Sequence, residues 1–195
     1  MSAFTWPPES PDDTGARPPA PADAVQAAVL VPLFVSEAQP HVVLTRRRAD
    51  LRRHAGEIAF PGGRRDEQDA SLQDTALREA QEEIGLRRDD ATVIGSLPAT
   101  STFATGYVIH PYVATIPTGL AWTLSPREVD TVLELSLAEV RAGRTRVELE
   151  RRGFTFETDA FVVGEDVIWG ATARIIEDLL HALREPGPDG VLELG

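Results

Sequence analysis

At 195 residues, with 42% hydrophobic and 26% charged side chains, the chain is long enough for one domain with a buried core and too short for two of ordinary size. Its 31 acidic residues against 19 basic ones give a formal net charge of -12, a field that opposes non-specific binding to nucleic acid and to anionic membranes. Against that field an anionic substrate would need a local basic patch or a metal, and the absence of cysteine excludes disulfides, thiolate metal sites and a cysteine nucleophile.

Residues 1–23, MSAFTWPPESPDDTGARPPAPAD, read as a proline-rich arm. They lack the basic segment followed by an apolar run that marks a secretory signal. The apolar run Ala24 to Val35 is too short to span a bilayer and contains Gln26 and Pro32, so it is expected as a buried strand, and a cytoplasmic location follows. His41 to Arg47 is a second β-rich run, and the turn-like SEAQP between the two predicts a hairpin. After the basic stretch RRRADLRRHAG, Glu57 to Gly63 (EIAFPGG) reads as a short strand that stops at Pro61 and two glycines suited to a tight loop.

Ser71 followed by Asp74 has the form of a helix N-terminus, and Leu72, Ala76, Leu77, Ala80 and Ile84 recur at helical spacing up to a stop at Gly85. A helix over Ser71 to Ile84 is the expectation. Beyond it, Ala91 to Leu97, Tyr107 to Ile116, Val129 to Leu135, Arg146 to Glu150, Phe154 to Glu157 and Ala160 to Gly164 read as strands. Ser136 to Glu139 opens a short helix through Arg141, and GATARIIEDLLHALRE forms a final amphipathic one. Strands with interspersed helices indicate an α/β or α+β layered domain, expected over residues 24–185 with a tail over 186–195.

Glu79, Glu82 and Glu83 stand at i, i+3 and i+4 of the first predicted helix and so share one face. Like charges at that spacing destabilise a helix by roughly 0.2 to 0.5 kcal/mol per pair. Two readings are open: a solvated acidic face, or a cation site. Arg78 can pair with Glu82 at i+4 but does not neutralise three carboxylates, whereas a divalent ion would. Oxygen-only ligands favour Mg²⁺ or Mn²⁺, which leave positions for water and substrate phosphate.

The run Arg78-Glu79-Ala80-Gln81-Glu82-Glu83-Ile84-Gly85-Leu86, preceded by Gly63, resembles the Nudix box, whose second half is R-E-(apolar)-x-E-E-x-G-(apolar). Between Gly63 and Arg78 the chain has one residue more than the usual spacing, and the family's upstream glutamate falls on Ala70, with Glu67 and Asp69 nearby. Thr45-Arg46-Arg47, Arg52, Gly56 and Phe60-Pro61-Gly62-Gly63 resemble the signature of the coenzyme A pyrophosphatase branch of that family, with Arg48 where the branch has serine or alanine.

The resemblance implies an α/β/α Nudix sandwich with a mixed sheet and Mg²⁺- or Mn²⁺-dependent hydrolysis of the pyrophosphate of coenzyme A or a derivative. The protein would be a monomer or homodimer with no nucleic-acid or membrane partner. By the same resemblance Glu79 and Glu83 are metal ligands, and Glu82 is a third ligand or acts through water. Arg78 orients a glutamate. Arg47, Arg52, Gly62 and Gly63 are substrate-side residues, the arginines because a guanidinium fork matches phosphate oxygens. Rival substrates are ADP-ribose or a dinucleotide; a non-catalytic binding module would be expected to lose the box acids. Glu128, Glu134 and Glu139 are candidates for the general base that sequence does not rank. The four histidines are read as structural or surface groups, and Trp169 as a core residue.

Overall fold

The computed structural model describes residues 24–50, 56–102, 106–151 and 153–183. The first strand, β1 (Val25–Ser36), runs through the middle of an eight-stranded sheet. On one side it pairs in parallel with β7 (Tyr107–Thr115) along its length, from Val25↔Tyr107 to Leu33↔Thr115. Its other edge is shared: the N-terminal half pairs with β4 (Gly62–Arg64) and the C-terminal half with β2 (Gln39–Arg47). Short β3 (Ile58–Ala59) and longer β8 (Val129–Ser136) also pair with β2, while β5 (Thr92–Ser96) and β6 (Thr100–Ser101) pair with β7. The sheet is mixed, as expected.

A strand flanked on both sides and covered on both faces reads as a continuous apolar run, which is why Ala27 to Phe34 shows so little alternation in sequence. Its side chains nevertheless divide between two cores. Ala28, Leu30 and Phe34 pack with Ala76, Leu77, Ala80 and Ile84 of α1 (Leu72–Ile84). Val31 and Leu33, pointing the other way, join Ile175, Ile176, Leu179 and Leu180 of α3 (Gly170–Ala182), together with Val140 of α2 (Leu137–Ala142). Helices on both faces of the sheet give the expected α/β/α sandwich. Among the described residues no helix is long and apolar enough to cross a membrane.

A second, antiparallel sheet contains β9 (Arg144–Arg151), β10 (Phe154–Val163) and β11 (Asp166–Trp169), in the order β11-β10-β9.

Several sequence-based expectations need correction. Phe154 to Glu157 and Ala160 to Gly164 form the single strand β10, because Thr158 and Asp159 continue the ladder opposite Val147 and Arg146. Gly62 and Gly63 lie within β4 rather than ending a strand, and neither has a positive φ. The strand is instead interrupted at Phe60-Pro61, where the Pro61 carbonyl accepts from the Leu30 N–H at 2.9 Å. The short strands β6 and β11 and the 3-10 turn Arg88–Asp90 have no counterpart in the sequence reading. The β1–β2 hairpin forms as expected, but its turn places Glu37 and Ala38 at φ 51 and 60, a left-handed conformation costly for side chains other than glycine or asparagine.

Candidate active site

α1 starts where the sequence says it should: the Ser71 hydroxyl accepts from the Asp74 N–H at 3.1 Å and donates to the Asp74 carboxylate at 2.8 Å. It ends on Gly85 at φ 72, with the Gly85 N–H donating to Gln81 O and the Leu86 N–H to Ala80 O. Ala76 and Ala80, both fully buried, provide the small surface through which this helix lies close to β1 and β4. Glu79 and Glu83 are thereby carried against the two glycines of β4.

Each glycine is required by a close approach. A Cβ on Gly63 would stand 2.5 Å from the Glu79 carboxyl, and one on Gly62 would stand 2.4 Å from the Ala28 carbonyl oxygen. The Gly62 N–H donates to Glu83 Oε2 at 3.2 Å, and Arg47 Nη1 lies 3.6 Å from Glu83 Oε1. Glu82 takes a different path. Its carboxylate is 60% exposed and meets only the edge of the cluster, through Arg78 Nη1 at 3.2 Å. The three glutamates thus share a helix face, yet only Glu79 and Glu83 turn in toward the strand.

Arg78 organises the helix face. Its Nη1 also donates to Glu79 Oε1 at 2.9 Å, while Nε and Nη2 grip both oxygens of Asp69 at 2.9 and 3.0 Å. Asp69 is buried and accepts further bonds from Thr75 Oγ1 and the Asp66 N–H, each at 2.8 Å. The bond from Arg78 is the main reason the Asp69 carboxyl sits well below the usual carboxylate range. Of the two acids near the position that spacing indicated, Asp69 is the one that Arg78 holds, one position before it. The sequence signal was its proximity; its role came from the bidentate geometry.

The two inward glutamates are shifted in the same direction. Burial pushes Glu83 up to about 7, against the pull of Arg47 and the Gly62 N–H, and the charges of Glu79 and Glu128 add to the rise. Glu79 is also raised, by burial first, with Arg78 opposing. Both are carboxylates whose negative charge lacks full compensation by the protein. Glu128, on the loop entering β8, acts on both of them. Of the other two acids considered for a general base, Glu134 accepts from Trp122 Nε1 at 2.7 Å, and Glu139 lies in the first turn of α2, which packs into the α3-side core.

The basic stretch disperses. Alternation along β2 sends Arg46 away from Arg47, and Arg46 pairs with Asp166. Arg48 is held by Asp50 at 2.8 Å and by the Pro126 carbonyl at 2.9 Å. Among the described residues of this stretch only Arg47, beside a register shift in the β2–β8 ladder, reaches the glutamates, and its buried Nε finds no hydrogen-bond partner among the described residues. Arg52, Arg53 and His54 lie outside the described residues. His41 bonds Gln39 O and stacks on Phe34, His110 bonds Gln26, and His181 sits in the last turn of α3, so these three stand apart from the carboxylates. Trp169, at the start of α3, is half-buried with its ring 5.9 Å from that of Phe156.

Among the described residues no three histidine, aspartate or glutamate side chains are drawn together into a ready metal cage. Arg78 occupies oxygens of Glu79 and Glu82, and Arg47 faces Glu83. The donor chemistry still fits a hard divalent cation, because buried Glu83 and half-buried Glu79 offer neighbouring carboxylate oxygens whose charge burial disfavours, and such an ion neutralises it.

The family model described as the NUDIX domain matches residues 24–156. A Cronobacter sakazakii protein called the uncharacterized Nudix hydrolase NudL is 44% identical over 162 residues, which span 82% of this chain and 83% of that protein. Its namesake in Citrobacter koseri is 44% identical over 156 residues, 79% and 80% of the two chains. Among solved structures, a MutT/nudix family protein from Enterococcus faecalis superposes with a TM-score of 0.60 at 17% identity, covering 92% of this chain and 70% of its own. The NUDIX domain of Shewanella oneidensis NrtR, solved with ADP ribose, gives a TM-score of 0.51 at 24% identity over 66% and 82%. At those identities the solved structures share the fold.

Proposed function

The chain belongs to the Nudix family, and from that premise we propose that it hydrolyses the pyrophosphate of coenzyme A or a coenzyme A derivative, with Mg²⁺ or Mn²⁺, to 3′,5′-ADP and 4′-phosphopantetheine. The observation that supports this reading is a meeting of two sequence signatures in space. Arg47, Gly62 and Gly63, from the stretch that resembles the coenzyme A branch, touch Glu83 and Glu79 of the box.

Glu79 and Glu83 would hold the metal, with Glu82 as a further ligand directly or through water. A bound divalent ion supplies charge neutralisation at phosphate oxygens and makes water a stronger nucleophile. The chain's own groups do the rest. Asp69 fixes Arg78, and Arg78 in turn fixes the direction of the Glu79 carboxylate. The Gly62 N–H and Arg47 hold Glu83. Arg47 presents the guanidinium that a substrate phosphate meets. Of the three acids considered for the general base, we favour Glu128, an exposed carboxylate whose charge acts on both inward glutamates; it would take a proton from the attacking water as the new P–O bond forms and the bridging P–O bond breaks, the bridging oxygen leaving on the departing phosphate. A cytoplasmic location belongs to the same reading.

The test is steady-state turnover of coenzyme A against ADP-ribose with saturating Mg²⁺. A higher kcat/KM for coenzyme A is expected; a clear preference for ADP-ribose overturns the substrate assignment.

A further inference from the structure

β9 forms one edge of the small sheet: among the described residues it pairs with β10 alone. The Gly143 carbonyl, just before β9, accepts from the Val162 N–H of β10 at 2.8 Å. In an antiparallel ladder, residues with that orientation alternate, so Thr145, Val147, Leu149 and Arg151 turn their backbone groups inward to β10. Arg144, Arg146, Glu148 and Glu150 therefore turn their N–H and C=O groups outward. An edge of this length presents unpaired N–H and C=O groups to another strand, while its arginines and glutamates blunt it against any partner whose charges do not match.

The charges on that edge select the partner. Read outward from Val147, Arg144-Thr145-Arg146 on one side faces Glu148-Leu149-Glu150 on the other, basic before and acidic after. Two copies laid antiparallel about a two-fold axis at Val147 place Arg146 opposite Glu148 and Arg144 opposite Glu150, twice each. The outward-facing residues become the hydrogen-bonded pairs of the new ladder, as the alternation requires. Moving the axis to Arg146 or Glu148 sets like charges face to face at the centre. Within one chain Glu148 is opposite Glu157, an unfavourable pair, and Arg146 serves Glu157 at 3.7 Å and Asp159 at 3.6 Å. The Arg146 of a second copy would bring a cation to Glu148. Arg144 is held by Glu177 at 3.0 Å, closer than either acid that Arg146 serves, so the Arg146–Glu148 contact is the discriminating one.

We propose that the chain forms a two-fold homodimer by antiparallel pairing of β9 with β9 of a second copy, centred on Val147, giving a continuous six-stranded sheet across the two molecules.

Sedimentation velocity on the full chain from low to high micromolar concentration tests this. The parent is expected to sediment as a dimer, and Arg146→Glu and Glu148→Arg, which each create like-charge pairs in this register, as monomers. An equimolar mixture of the two variants restores every opposite-charge pair and is expected to return to the dimer. Glu148→Pro removes an outward N–H without touching the bonds to β10 and should also be monomeric. Thermal unfolding identifies the folded variants; if Arg146→Glu does not fold, Glu148→Arg and Glu148→Pro carry the comparison. A parent that is monomeric throughout, folded single variants that remain dimeric, or a mixture of folded variants that stays monomeric would each overturn the proposal.

Discussion

Replacing Glu83 with glutamine should stabilise the metal-free protein at alkaline pH. The 3% exposed carboxyl titrates near 7 in the folded chain, against an ordinary value of 4.5. Its folded-state value lies above its unfolded one, so between those two values the folded chain carries more protons than the unfolded chain. Stability from this group is therefore fully present below about pH 4.5 and is lost as pH rises through 7. At 1.36 kcal/mol per pH unit the ionised form costs about 3 kcal/mol at pH 8. Glutamine has no charge to bury but turns an amide N–H₂ toward Arg47 or Gly62, which returns about 1 kcal/mol of that gain.

The expected outcome is a variant more stable than the parent by about 2 kcal/mol at pH 8 and equal or slightly less stable at pH 5. Urea unfolding with a chelator present, at both pH values, measures the difference. A variant no more stable than the parent at pH 8 would refute the inference that burial leaves this charge uncompensated. If Glu83 also holds the metal, the parent gains stability on adding Mg²⁺, whereas the variant gains little.

Gly63→Ala and Gly62→Ala should part company. The first forces a methyl into the Glu79 carboxylate, so hydrolysis is expected to fall on the order of a hundredfold while the fold persists. The second drives a methyl into the β1 backbone and should destabilise by about 2 kcal/mol or more, read as a lower urea midpoint. Asp69→Asn removes the anchor of Arg78; kcat is expected to drop about tenfold, with stability down by about 2 kcal/mol at pH 7. Because the Asp69 value is depressed in the folded state, that loss should shrink as pH falls toward the acid range and the parent's own carboxylate protonates. Replacing Glu37-Ala38 with Asn-Gly relieves left-handed strain and should raise stability by about 1 to 2 kcal/mol, seen as a higher Tm with unchanged turnover.

Much of the fold was legible because it rests on local chemistry. Ser71 and Gly85 bound α1 through hydrogen bonds made within a turn of sequence, and the 3.6-residue spacing of its apolar side chains marked the buried face. The helix face carrying Glu79, Glu82 and Glu83 followed from the same spacing. Strands β1, β2, β7 and β8 were visible as β-branched runs, but not their partners. Nothing local to Val25–Ser36 states that it pairs in parallel with Tyr107–Thr115, or that its second edge is divided between β2 and β4. Short strands such as Thr100–Ser101 owe their conformation to an available neighbour rather than to their own propensity.

The sequence by itself determined which residue types could act: three carboxylates on a helix turn, two glycines and an arginine-containing strand upstream, with no thiol chemistry. Tertiary packing decided how those groups divide their work. Depth of burial separates inward Glu83 and Glu79 from exposed Glu82, and a side chain's desolvation depends on what lies above it, which helical spacing does not encode. The alternation of β2 directs Arg47 to the glutamates and Arg46 to Asp166. Chain folding alone brings Glu128 within electrostatic reach of residues more than forty positions earlier. Asp69, which sequence spacing left beside the expected position, became the anchor of Arg78 only when the fold brought two guanidinium nitrogens within hydrogen-bond distance of both its carboxylate oxygens. Such distances between groups far apart in the chain are fixed by packing, and local sequence chemistry has no means of specifying them.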